Sequence, residues 1–144
     1  MKAIVRQSAA GLALLFLAHS AACVRPTTVT PSDTRVASGD WGGQHILLSV
    51  TGTGAHVEFD CASGEISMPL TVDIQGRFSV DGVYLREHPG PIIVGGETDP
   101  QPARYSGRVD DTTMTLDVML TVSNQTVGSF TLTRGGLPRV SKCL

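Results

Sequence analysis

Aromatic side chains are scarce in this chain. Among 144 residues there are one Trp, two Tyr and four Phe, 5% in all. A surface that binds single-stranded nucleic acid or sugar by stacking needs more of them on one face. Charge is also thin, at 17%. With Lys2 and Arg6 set aside as part of a leader, nine basic residues face 13 acidic ones. That balance gives no positive footprint for nucleic acid or for anionic lipid headgroups. No apolar run approaches the roughly 20 residues a membrane-spanning helix needs. The longest, Gly11 to Ala18, is ended by His19 and Ser20.

That short run has a different meaning. Met1 to Arg6 carries two basic residues, Gly11–Ala18 is apolar, and Ser20-Ala21-Ala22 are small, which is the layout of a cleaved export signal. The reading divides the chain into a signal at 1–22, a Thr/Pro-rich tether at 23–38 and a domain at 39–144. The expected location is the cell envelope, or the periplasm and medium if no anchor forms. Removing the signal leaves 122 of the 144 residues, enough for one core.

Only three cysteines are present: Cys23, Cys61 and Cys143. In an oxidising compartment cysteines tend to pair, so an odd one needs a role. If Cys23 is acylated, Cys61 and Cys143 remain as a disulfide pair. Ser20-Ala21-Ala22-Cys23 resembles the bacterial lipobox, with Ser20 standing where that motif usually has Leu. The resemblance implies a lipid-anchored N-terminus that holds the protein to a membrane. The same residues suit ordinary signal peptidase, which would leave Cys23 unmodified.

From Gly39 onward no segment has helical spacing. Short alternating stretches are separated by Gly, Asp, Asn and Pro, as in a β-meander. The faces are Ile46, Leu48 and Val50; then Ala55, Val57, Phe59 and Cys61; then, after a turn at Ser63-Gly64, Ile66 to Ile74. Phe78, Val80, Gly82 and Tyr84 follow, then Ala103 to Val109, Met114 to Val122, and Val127 to Leu132. Turns are expected at Gln75-Gly76, Asp110-Asp111 and Ser123-Asn124. Seven strands, with an eighth possible at Ile92-Ile93-Val94, predict an all-β fold. The expected form is a small antiparallel up-and-down barrel of about eight strands, the alternative a two-sheet sandwich.

Gly39-Asp40-Trp41 has the form Gly-x-Trp just before the first of those strands, and Arg134 follows Phe130 and Leu132 at inward parity. Together these resemble the calycins, the lipocalin- and avidin-type barrels. The resemblance implies that Trp41 lies across the barrel floor beneath an inward Arg134, in cation–π contact. It also implies a small apolar ligand. Taken whole, the chain resembles small exported bacterial lipoproteins, which implies a location and no activity.

Candidate chemistry is sparse. His45 and His56 could face solvent side by side, with Glu58 near, as a surface zinc site, but the spacing fits no metal motif. No Gly-x-Ser-x-Gly elbow is present, and no carboxylate pair can be read from spacing. The expectation is therefore a protein that is not an enzyme and holds no cofactor or metal. The long segment 88–102, with His88, Pro89, Glu97 and Asp99, is a possible binding loop, since loops of this length are often functional. Three roles follow: a non-enzymatic binding module for a small apolar ligand or a protein, an inhibitor of a periplasmic or secreted hydrolase, or a structural envelope component.

Overall fold

Alternation of apolar and polar residues is converted directly into strands. The computed structural model describes residues 34–87, Gly90 and 99–143. Among the described residues ten strands run in chain order: β1 (Thr34–Arg35), β2 (Gly39–Gly43), β3 (Ile46–Val50), β4 (Ala55–Phe59), β5 (Ala62–Ile66), β6 (Thr71–Val72), β7 (Arg77–Arg86), β8 (Gln101–Asp110), β9 (Thr113–Leu120) and β10 (Thr126–Arg134). Eight of them close an antiparallel barrel in the order β10-β2-β3-β4-β5-β7-β8-β9. The fold is thus all-β and up-and-down, as the turn spacing predicts, and a sandwich is excluded. β9 alternates exposed and buried at every residue, with Met114, Leu116, Val118 and Leu120 inside.

One end of this barrel carries the Gln44-His45 and Asp60-Cys61 turns and is called the disulfide end below. The opposite end is plugged by the two-stranded ribbon β1·β6. Val36 N–H donates to the Leu70 carbonyl at 2.9 Å, and Val36, Leu70 and Val72 are buried with the barrel core. Trp41 Nε1 donates to the Ala37 carbonyl at 3.1 Å. Residues 34–37 of the expected tether thus pack on the barrel.

Several expectations are corrected by this architecture. The eighth barrel strand is β2, so Gly39 and Trp41 lie within a strand rather than before the first one. Ser63-Gly64 is no turn; both residues are in β5, and the chain reverses at Asp60-Cys61, where Cys61 has φ 53°. The stretch from Ile66 to Ile74 is not one strand. β5 stops at Ile66, Met68 is exposed, Thr71–Val72 leaves the barrel to pair with β1, and Ile74 is 87% exposed in the next turn. Val122 is likewise outside its strand and exposed. Ile92-Ile93-Val94 lies outside the described residues.

The barrel waist is filled by its own rings. Tyr105, fully buried on β8, sends its hydroxyl across to the Val83 carbonyl at 2.7 Å. Two glycines on the adjoining strands β7 and β5 make that possible. A Cβ on Gly64 would meet the Tyr105 hydroxyl at 2.2 Å, and one on Gly82 would meet its ring at 3.0 Å. Burial pushes the Tyr105 phenol well above the ordinary phenol range. Eight strands enclose an interior that side chains can occupy, and Trp41, Tyr105, Leu48, Val57, Leu116 and Val118 are fully buried in this one.

Candidate functional site: the disulfide end of the barrel

Aromatic rings close the interior at this end. Phe59 meets Tyr84 and Phe130 with ring centroids 5.5 Å apart in each case, tilted at 58° and 47°. Phe59 and Tyr84 are buried, and Phe130 is half-buried. Such tilted pairs contribute about 0.5–1.5 kcal/mol beyond the area they bury.

Beyond β10 the chain turns back along the outside of β2. Gly135, with φ 67°, makes the reversal. The tail then lies directly on Gly42, where a Cβ would meet the Gly136 carbonyl oxygen at 2.1 Å and the Pro138 nitrogen at 2.9 Å. Arg139 N–H donates to the Gly43 carbonyl at 3.0 Å, and His45 N–H donates to the Arg139 carbonyl at 2.8 Å. Further on, Cys143 is bonded to Cys61, Cα to Cα 4.9 Å and 82 residues apart in sequence. The pairing expected from cysteine parity is thus present.

Asp60 organises this end. One carboxylate oxygen accepts from Ser141 N–H at 2.6 Å, and the other meets His45 Nδ1 at 2.5 Å. Lys142 Nζ reaches Glu58 at 3.0 Å beside them. The Ser141 N–H bond, and then the His45 bond, hold the Asp60 carboxyl below its usual range. The sign of the pH dependence follows. A carboxylate with a depressed folded-state pKa contributes its bonds fully above its unfolded value, near 3.8. They are lost as pH falls through the lower folded value. The Ser141 amide is therefore expected to be protected from hydrogen exchange at pH 5 and to lose protection only as pH falls below 3.8. Equal protection at pH 5 in an Asp60→Asn protein would show that ionised Asp60 does not hold the tail.

The two described histidines of the imagined zinc site are separated. His45 lies in the β2–β3 turn on Asp60, whereas His56, paired with Ser49 toward the other end of β3, is 3.1 Å from Glu65. Glu58 pairs with Lys142. Among the described residues no group of three or more His, Cys, Asp or Glu is placed to hold a metal ion. Neither histidine is hydrogen-bonded to a hydroxyl among those residues. Arg134 does lie opposite Trp41 in the β10–β2 register. Its side chain is nonetheless exposed at the strand's end and donates to the Ser38 carbonyl at 3.5 Å, so it does not point into the core over the indole.

Of the four residues singled out in the expected binding loop, Asp99 is placed; His88, Pro89 and Glu97 lie outside the described residues, as does Cys23. Asp99 lines a depression of about 210 Å³ with Pro100, Gln101, Pro102, Leu120, Val122 and Ser123. Its walls are largely apolar, and Val122 stands 81% exposed at its rim. Sequence reading missed Asp60 and Gly42. The adjacent Gly42-Gly43 pair and an acid beside Cys61 were the only signals available. Comparison with known proteins adds no identity, since no family model, curated protein or solved structure matches the chain.

Proposed function

We propose that this is an exported, lipid-anchored envelope protein that acts without catalysis as a binding module, and that it meets a protein by its outer surface. The observation that carries the choice of partner is the Tyr105 ring, seated between Gly64 and Gly82 in the waist. With this ring occupying the waist, a protein partner on the outside is favoured over a small apolar ligand within. The Cys61–Cys143 bond fits an oxidising compartment. Inhibition of a hydrolase is a narrower form of the same reading.

Two tests address it. Mass spectrometry of the mature protein is expected to show an N-terminal Cys23 carrying acyl chains; an unmodified Cys23, or cleavage elsewhere, removes the anchor. For the partner, a photoreactive residue replacing Val122 beside the depression is expected to yield one protein adduct of discrete mass in intact envelopes. The same residue replacing Asp81, on the side wall in an ion pair with Arg104, should yield none. Adducts from both positions, or from neither, would reject this surface.

A further inference from the structure

The tail is held at more points than a disulfide needs. Ser141 is gripped on both sides by consecutive residues of the β4–β5 turn: its N–H by the Asp60 carboxylate at 2.6 Å, its carbonyl by Cys61 N–H at 3.2 Å. The carboxylate is itself fixed by His45 from the neighbouring turn, with Glu58 and Lys142 paired alongside. Upstream, Arg139 bonds to Gly43 and His45, and Gly136 and Pro138 rest on the bare backbone of Gly42. None of these contacts involves sulfur.

We propose that residues 136–143 form a strap with its own non-covalent seat, and that Asp60 is the positioning residue that brings Cys143 onto Cys61 for the disulfide. The seat is built from β2, the β2–β3 turn and the β4–β5 turn, and the strap begins where β10 ends on β2. With Ser141 gripped, the Cys61 and Cys143 Cα atoms stand 4.9 Å apart, inside the range a disulfide spans.

The covalent step requires a disulfide oxidant, such as oxidised glutathione. One protein thiolate attacks it, forming a mixed disulfide and releasing one glutathione thiolate. The second protein thiolate then attacks the protein sulfur of that mixed disulfide and displaces the other glutathione. Two electrons pass from the protein dithiol to the oxidant, and the two thiol protons end on the two glutathiones. Asp60 takes no part in the exchange; it raises the local concentration of one thiol at the other.

The test is a redox equilibrium of the full chain in glutathione buffers. Asp60→Ala is expected to lower the equilibrium constant for the Cys61–Cys143 bond at least about tenfold, the scale of a lost charge-assisted hydrogen bond. Asp81→Ala, which removes a surface carboxylate elsewhere, should leave it unchanged. In a Cys61→Ser/Cys143→Ser protein the Ser141 amide should still exchange at least about tenfold more slowly than an unprotected amide. An Asp60→Ala equilibrium equal to wild type would overturn the proposal. So would an unprotected Ser141 in the double variant, or failure of that variant to fold. If Asp60→Ala itself does not fold, the exchange measurement decides alone.

Discussion

Tyr105→Ala is expected to lower stability by about 3–5 kcal/mol in denaturant unfolding, the range for removing a large buried ring. Two terms combine. The apolar ring leaves a core position with no exposure, and the Val83 carbonyl loses a donor. The gap is not refilled from the adjoining strands, because the positions the ring packs on there, Gly64 and Gly82, carry no side chains. A residual cavity in the waist follows, and the folded variant should bind a small apolar molecule saturably where the wild type does not. Coupling gives a sharper check. Gly64→Ala in the wild type drives a methyl to 2.2 Å from the Tyr105 hydroxyl, and overpacking of this kind costs about 1–3 kcal/mol. In the Tyr105→Ala background the same change should cost clearly less, since only the 3.1 Å approach to the Val83 carbonyl oxygen remains. Equal costs in both backgrounds would mean that the ring does not occupy that space.

The second large effect is expected from Cys143→Ser. Its bond to Cys61 closes a loop 82 residues long, worth about 4 kcal/mol in the chain-entropy model. Most of that acts on the unfolded chain, which gains freedom when the link is cut. The folded variant should keep its barrel, with Trp41 still buried, while its unfolding midpoint falls. The denaturant slope should rise, because a longer free chain exposes more surface on unfolding. A loss below about 1 kcal/mol would show that the tail contributes little beyond its non-covalent seat.

Much of the fold can be read in the sequence where alternation is long and uninterrupted. Phe78, Val80 and Tyr84, and Met114, Leu116, Val118 and Leu120, keep one parity over strands of eight to ten residues, and all are buried. Period two assigns a face, but it does not say where a strand stops. Ile66, Met68 and Ile74 share a parity with Leu70 and Val72, yet the chain leaves the barrel after Ile66. Glycine misleads for a related reason. Ser63-Gly64 has turn composition, but Gly64 lacks a side chain because Tyr105, far along the chain, takes its place. The seat of the tail was hidden in the same way, since the Asp60–Ser141 bond spans 81 residues. Asp60 continues the polar alternation of His56 and Glu58, so it reads as an ordinary exposed acid. The disulfide was legible because counting cysteines needs no geometry.

A barrel that meets its partner from outside, as proposed, carries no small molecule within. Native mass spectrometry of the protein released from its envelope tests this most directly. The predicted mass is that of the mature chain with its disulfide and N-terminal modification, and nothing further should be released on unfolding. A stoichiometric small apolar molecule freed when the barrel opens would contradict it.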